Sequence, residues 1–143
     1  MYSLLTLFTL LSVAISAPLD LEGRQTTTVC ATGVHIIAAR GSTQDPGEGS
    51  LQDLSRLIKA AIPGSTSTAV IYPASLIPYT TSEQQGVANM LLLIQQYVAS
   101  CPKARLVLTG YSQGAHIVGD TLGGGTFAKS APLAEIYRKN SKF

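Results

Sequence analysis

Charged side chains are scarce in this sequence, and no basic run stands out before its C-terminal tail. Only 13% of the 143 residues are charged, against 45% that are hydrophobic, and the formal net charge is +2. A chain of this composition and length is expected to bury one core rather than remain disordered. Without a basic run there is no electrostatic reason to expect nucleic acid or an acidic membrane surface as a partner.

Soft metal ligands are equally few. The sequence has two cysteines and two histidines, namely Cys30, Cys101, His35 and His116. Neither their number nor their spacing matches a zinc motif. We therefore expect no metal site and no cofactor.

Long apolar runs are also missing, which argues against a transmembrane helix. The apolar block Leu4–Ile15 is too short to cross a bilayer, which takes roughly 20 residues. It matches the core of a signal peptide, with small residues at the cleavage position after Ser16. We predict a signal peptide at 1–16, a linker or pro-segment at 17–29, one domain at 30–143, and secretion to the extracellular space.

Two cysteines in a secreted chain favour a single disulfide. A bridge between Cys30 and Cys101 would stabilise the fold by about 4 kcal/mol in the chain-entropy model. Each cysteine precedes a predicted strand, so the bridge would join the amino ends of two strands at one end of the sheet. Two unpaired buried thiols are the alternative.

Strands and helices alternate along the remaining sequence. Apolar runs bounded by turn residues predict the strands, and apolar positions at helical spacing predict the helices. The predicted strands are 33–39, 69–72 and 105–109, and the predicted helices are 51–61 after Ser50, 82–101 and 113–122. This βαβαβα order predicts a parallel sheet with strand order 2-1-3 in a three-layer α/β/α hydrolase-type domain.

The run Gly110-Tyr-Ser-Gln-Gly114 lies between the third strand and the last helix. Gly-x-Ser-x-Gly in this position is typical of a nucleophile elbow, which presents the serine hydroxyl above the carboxyl end of the sheet. Ser112 is the candidate nucleophile. The backbone N–H of Gln113, at the helix N-terminus, can donate to an oxyanion.

A second oxyanion donor is expected from a loop at the same sheet edge. Ser42 follows the first strand, which neighbours the third strand in the order 2-1-3. Its N–H or its hydroxyl can complete an oxyanion hole. An ordinary Ser/Thr turn is the alternative for this residue.

From residue 30 to about residue 140, the sequence resembles a known protein family. The segments 30–43, 72–74 and 100–102, and above all 106–115, resemble the fungal cutinase and acetylxylan esterase family of secreted serine esterases. The resemblance implies a cutinase-like fold, Ser112 as nucleophile, Ser42 and Gln113 as the oxyanion hole, and a Cys30–Cys101 disulfide. It also implies cleavage of ester bonds without a cofactor.

The sequence departs from this type of enzyme after Ser112. The triad order is Ser, Asp, His, but only Asp120 and Glu135 follow as acids, and the last histidine, His116, precedes both. We therefore expect a C-terminally truncated chain that lacks the triad Asp and His and the C-terminal strands. His35, inside the first strand, and His116, four residues past the nucleophile, are both poor candidates for the base.

The leading interpretation is a secreted, monomeric serine esterase acting through an acyl-serine intermediate on plant cell-wall polyester or on smaller esters. The apolar loop with Leu76, Ile77 and Tyr79 would line an acyl groove, or else be a plain surface loop. One alternative is an acetylxylan esterase acting on acetylated polysaccharide. Another is a catalytically inactive secreted binding module or pseudogene product.

Overall fold

Three parallel strands form the centre of the fold. In the computed structural model, which describes residues 28–125 and 130–135, they are β1 (Val34–Ala39), β2 (Thr66–Ala69) and β3 (Arg105–Gly110). Their order is β2-β1-β3, which confirms the predicted order. All six residues of β1 are buried, as expected for an apolar central strand. The predicted signal peptide and nearly all of the linker lie outside the described residues.

The register of the sheet decides which loops meet at its carboxyl edge. Residues Val34 to Ala39 of β1 pair in sequence with Arg105 to Gly110 of β3. The two strands therefore end at the same level. As a result, the loop that follows β1 and the serine turn that follows β3 leave the sheet side by side.

The second strand lies earlier in the chain than the sequence predicted. Thr66–Ala69 pairs with β1, whereas the predicted strand covered 69–72. Val70 and Tyr72 follow the strand and are buried in the core, and the Val70 N–H still donates to the Ala38 carbonyl of β1 at 2.8 Å. The apolar run at 69–72 thus marked core packing, and the polar β-branched run before it forms the strand.

The helices are α1 (Gln52–Ala61), which follows a 3₁₀ turn at Gly49–Leu51, α2 (Tyr79–Ser100) and α3 (Gln113–Gly123). α2 begins at Tyr79, directly after Pro78, and not at the predicted cap Ser82. Ser82 is buried inside the helix, where its hydroxyl donates to Gln113. None of the helices within the described ranges is long and apolar enough to cross a bilayer.

The core lies between the sheet and helices α2 and α3. Its fully buried members come from β1, from the segment after β2 and from both helices; they include Ile37, Val70, Met90, Ile94 and Ile117. Helix α1 contributes little, because Ser55 is its only buried residue. Leu54 and Leu57, two of the apolar residues at helical spacing that predicted this helix, are 43% and 57% exposed.

A disulfide joins Cys30 to Cys101, with their Cα atoms 5.6 Å apart. The prediction of a single bridge is thereby confirmed. Cys101 caps the end of α2, and Cys30 precedes β1. The bridge therefore ties the end of the long helix to the amino end of the central strand, opposite the serine turn.

Candidate active site

The serine turn connects β3 to α3 through a backbone conformation that few side chains adopt. Ser112 has φ 52° and ψ −117°, immediately before the first helical residue, Gln113. Such a conformation costs about 1–3 kcal/mol in a residue other than glycine, so the surrounding structure must impose it. The Ser112 side chain is exposed and makes no capping hydrogen bond to the helix. Its hydroxyl is therefore presented to solvent.

The two glycines of the motif allow the turn to pack against the sheet. A methyl group on Gly110 would overlap the backbone of Gly114, and a methyl group on Gly114 would overlap the carbonyl oxygen of Ala39 in β1. Both contacts are with backbone atoms, which cannot rotate away as a flexible side chain can. Only glycine allows α3 to begin this close to the end of β1.

The buried side chain of Gln113 holds the serine turn in place through hydrogen bonds. It is 1% exposed, its amide Nε2 donates to the Ser75 carbonyl at 3.1 Å, and its Oε1 accepts from the Ser82 hydroxyl at 3.2 Å. The Ser75 N–H donates in turn to the Ser82 Oγ at 3.0 Å. This closed ring of hydrogen bonds links the turn to α2 and to the loop before it. The sequence pattern indicates only the backbone N–H of Gln113, so this role of its side chain was not predicted.

A buried arginine shapes the loop that carries Ser42. Arg40 donates from Nε to the Gln44 carbonyl at 2.9 Å and from Nη2 to the Tyr72 carbonyl at 2.6 Å. The Tyr72 hydroxyl donates to the Arg40 carbonyl. Burial raises the pKa of Tyr72 to about 12, although the Arg40 charge opposes this, so the hydroxyl stays protonated as a donor. The Ser42 Oγ, shielded from solvent, has no hydrogen-bond partner within the described residues.

The loop after β1 lies directly against the serine turn. The Tyr111 N–H donates to the Ala39 carbonyl at 3.1 Å, and a methyl group on Gly41 would be 2.7 Å from Cδ1 of the Tyr111 ring. Ser42 follows Gly41, and Ser112 follows Tyr111. The structure therefore brings the loops of both predicted site residues together.

The predicted acyl-groove residues separate into two environments. Leu76 and Ile77 are 59% and 89% exposed, in the loop before α2. Tyr79 is instead the first residue of α2, and its hydroxyl lies 3.2 Å from Nδ1 of His116. Tyr79 is therefore less available to line a groove with the other two.

Both described histidines have structural partners. His35 is buried and stacks on Tyr97 with ring centroids 3.8 Å apart, and its Nδ1 lies 2.7 Å from the Thr66 hydroxyl. Burial lowers the pKa of His35, which keeps it neutral. His116 lies between Tyr79 and Asp120.

The structure also brings together three ionisable side chains that were not predicted to meet. Glu83 of α2 lies beside His116 and Asp120 of α3, with the ligand atoms of all three within 4.8 Å of one another. Burial raises the pKa of Glu83, the Asp120 carboxyl adds to that rise, and His116 opposes it. We had expected no metal site because we counted only cysteines and histidines. The i, i+4 spacing of His116 and Asp120 was a usable signal, but the contribution from α2 was not visible.

Comparison with known proteins shows which family the chain belongs to. The family model described as Cutinase matches residues 30–138. The chain is 34% identical over 117 residues to acetylxylan esterase 2 of Talaromyces purpureogenus and 37% identical over 99 residues to cutinase 11 of Verticillium dahliae. It also resembles the solved catalytic core domain of acetyl xylan esterase from Trichoderma reesei, with a TM-score of 0.64 and 35% identity.

These similarities cover most of this chain but only part of each relative. The match includes 77% of this chain and 50% of the Talaromyces protein, and 64% of this chain and 34% of the Verticillium protein. For the Trichoderma structure the shares are 71% and 53%. The chain thus spans about half the length of the Talaromyces and Trichoderma proteins and about a third of the Verticillium protein.

Proposed function

This chain belongs to the cutinase family, and on that basis we propose that it hydrolyses carboxylic esters through an acyl-serine intermediate, with Ser112 as the nucleophile. The observation that carries this proposal is the geometry of the serine turn. Ser112 is exposed in a strained conformation at the N-terminus of α3, and its hydroxyl is not used to cap the helix. A backbone held this way supports presentation of the hydroxyl to a substrate.

The reaction follows from the groups at this edge of the sheet. The Ser112 Oγ attacks the ester carbonyl carbon and forms a tetrahedral intermediate whose former carbonyl oxygen carries the negative charge. Collapse of the intermediate breaks the ester C–O bond and leaves the acyl group on Ser112. The proton that Ser112 loses is transferred to the departing oxygen, which leaves as the alcohol. Attack by water on the acyl-serine then releases the carboxylic acid and restores the hydroxyl.

The negative charge would be stabilised by two loops. The N–H of Gln113 is the first of α3, so it has no acceptor within the helix, and the helix dipole favours an anion there. Ser42 lies in the neighbouring loop, where its hydroxyl has no partner among the described residues. We assign Gln113 and Ser42 as the oxyanion donors.

Activation of Ser112 needs a base that accepts its proton. His35 is buried between Thr66 and Tyr97, and His116 contacts Tyr79. Neither histidine is assigned this role. Reaction of Ser112 with an ester therefore requires a base other than these two histidines.

The proposed substrates are esters of plant cell-wall material, either polyester or acetylated polysaccharide. Relatives of this chain include both cutinases and acetylxylan esterases. Leu76 and Ile77 are exposed in a loop that the Gln113 side chain holds next to the serine turn through Ser75. They would contact the acyl part of the substrate. We also propose that the protein is secreted as a monomer; the disulfide supports an oxidising extracellular medium.

A fluorophosphonate probe tests the central assignment, because it forms a covalent adduct only with an activated serine. Incubation of the full chain should give a single adduct that mass spectrometry locates at Ser112. The adduct should be absent in Ser112→Ala and unchanged in Ser50→Ala, a variant of an exposed serine outside the site. Failure of the unmodified chain to react would overturn the proposal and favour a secreted binding module without catalytic activity.

Substrate assays then separate the two ester classes. Rates on p-nitrophenyl acetate, on a longer p-nitrophenyl ester, on acetylated xylan and on a cutin-type polyester should all depend on Ser112. Faster cleavage of the longer ester and of the polyester would support contact with Leu76 and Ile77, and Ile77→Ser should then lower only those two rates. Activity confined to acetyl groups would support the acetylxylan esterase alternative.

A further inference from the structure

The cluster of Glu83, His116 and Asp120 lies between helices α2 and α3, near a point of close contact. A methyl group on Gly86 would overlap the side chain of Ile117, so the two helices are in close contact at this level. Glu83 is three residues before Gly86 on the same face of α2, and His116 and Asp120 are four residues apart on one face of α3. The ligand atoms of these three side chains all lie within 4.8 Å of one another.

Glu83 has a buried carboxylate without a lysine or arginine partner among the described residues. It is 0% exposed, and neither of its carboxylate oxygens accepts a hydrogen bond from an N–H group or a hydroxyl of the described residues. A side-chain interaction with the Asp120 carboxyl contributes to the raised pKa of Glu83. The Asp120 Oδ2 is likewise shielded and without a partner in that part of the chain. No lysine or arginine of residues 28–125 and 130–135 forms an ion pair with either carboxylate. Buried carboxylates are normally paired with a cation or coordinate a metal, because isolation costs several kcal/mol per ion.

His116 is oriented in a way that suits metal coordination. Its Nδ1 lies 3.2 Å from the Tyr79 hydroxyl, and its Nε2 lies 3.7 Å from Oδ1 of Asp120. A metal-bound histidine usually donates from its second ring nitrogen to such a partner, which fixes the tautomer and turns the lone pair to the metal. The side chains of His116 and Asp120 are 34% and 15% exposed, which provides a path for an ion to enter.

From this geometry we propose that Glu83, His116 and Asp120 bind one divalent transition-metal cation between α2 and α3. One neutral imidazole and two carboxylates match the ligand preferences of Zn²⁺ and its neighbours better than those of Mg²⁺ or Ca²⁺, which favour oxygen ligands alone. Two carboxylate charges balance one divalent ion. Zn²⁺ ligand bonds of about 2.0–2.2 Å require the three side chains to close around the ion by rotation.

The role expected for such an ion is to brace the serine turn. Helix α3 begins directly after Ser112, and His116 lies in its first turn. An ion held by both helices would join α2 to the first two turns of α3. This inference stands on the cluster alone and does not depend on ester hydrolysis.

The test is titration of Zn²⁺ into the full chain, produced without a histidine tag and stripped of metal with a chelator. Isothermal titration calorimetry should show one ion per chain, and the melting temperature should rise to a plateau. Titration with Co²⁺ should give visible absorption bands that Zn²⁺ abolishes. Glu83→Gln keeps the shape of the side chain and should weaken Zn²⁺ binding at least 100-fold.

Two further variants test whether the loss of Zn²⁺ binding is specific to the cluster. Asp53→Asn removes a carboxylate that is 84% exposed on α1 and should leave binding unchanged. Tyr79→Phe removes the hydroxyl beside His116 and should weaken binding about 10–100-fold, as loss of a supporting hydrogen bond typically does. Because Glu83→Gln removes a buried charge, the metal-free variant is expected to fold, and circular dichroism checks this.

The proposal is overturned if Zn²⁺ neither binds stoichiometrically nor raises the melting temperature of the unmodified chain. It is also overturned if binding survives in Glu83→Gln, since the ion would then lie elsewhere. In either case the remaining explanation is a proton shared by Glu83 and Asp120. Loss of binding in Glu83→Gln together with full binding in Asp53→Asn supports the metal site.

Discussion

Two glycines of α3 provide an internal comparison that tests how the serine turn is built. A methyl group on Gly114 would overlap the carbonyl oxygen of Ala39, whereas a methyl group on Gly119 has no atom within 4 Å. Gly119→Ala should stabilise the protein by about 0.8–1.0 kcal/mol, the usual gain in helix propensity. Gly114→Ala should destabilise it by about 1–3 kcal/mol, because the start of the helix must move away from β1. The two variants should thus differ by about 2–4 kcal/mol.

Urea unfolding at constant pH measures both values, with equal m-values required for the comparison. The rate of phosphonate labelling at Ser112 provides a second readout, which should fall in Gly114→Ala and stay unchanged in Gly119→Ala. A Gly114→Ala variant within about 0.5 kcal/mol of the unmodified chain would refute the reasoning. The close approach of α3 to β1 would then not be what holds Ser112 in its strained conformation.

Three other properties are expected from the described contacts. Replacing Cys30 and Cys101 together with serine should lower the free energy of unfolding by up to about 4 kcal/mol, measured in urea, because the bridge closes a loop with a sequence separation of 71. Burial lowers the pKa of His35 below its ordinary 6.5, so the unfolded state binds the proton more readily, and stability should fall as the pH falls below about 6.5. The urea midpoint should therefore fall less between about pH 7.5 and 5 in His35→Gln than in the unmodified chain. An equal fall in both would contradict the lowered pKa of His35. Gln113→Met should cost about 1–3 kcal/mol in the same assay, because two buried groups lose their amide partner, whereas Gln85→Met at an exposed position should change stability by less than about 0.5 kcal/mol.

The parallel fold could be predicted because its central strand and its helices have clear patterns. β1 is a short apolar run buried on both faces, and the helices carry apolar residues at helical spacing. β2 could not be placed correctly, because Thr66–Ala69 is mostly polar and lacks the apolar run that marks a buried strand. The more apolar run after it packs into the core, and hydrophobicity alone does not distinguish these two environments.

The start of α2 illustrates the same limit for local capping signals. Ser82 and Gln85 have the spacing of a capping pair, yet the helix begins at Tyr79. Ser82 satisfies the Gln113 side chain instead, across a sequence separation of 31 residues. A pattern with a local interpretation here serves a tertiary contact, which no window of neighbouring residues can show.

The parts of the candidate site that were predictable are those encoded within a few residues. Gly110, Ser112 and Gly114 form a turn whose steric requirements follow from their spacing. The supports of that turn come from distant segments and were not predicted, since Arg40 acts through Tyr72 and Gln113 acts through Ser75. Tertiary hydrogen bonds of this kind leave no periodic signal in the sequence.

The strain at Ser112 shows why those distant supports matter for function. A cost of about 1–3 kcal/mol in the turn must be offset by contacts that only the strained form makes. The contacts of Gln113 with Ser75 and Ser82, and the close fit of Gly114 against Ala39, surround the turn on its buried side. They fix the backbone of the nucleophile before any base or substrate acts on its hydroxyl. Loss of these supports should therefore reduce labelling of Ser112 even where the serine itself is intact, which separates presentation of the hydroxyl from its activation.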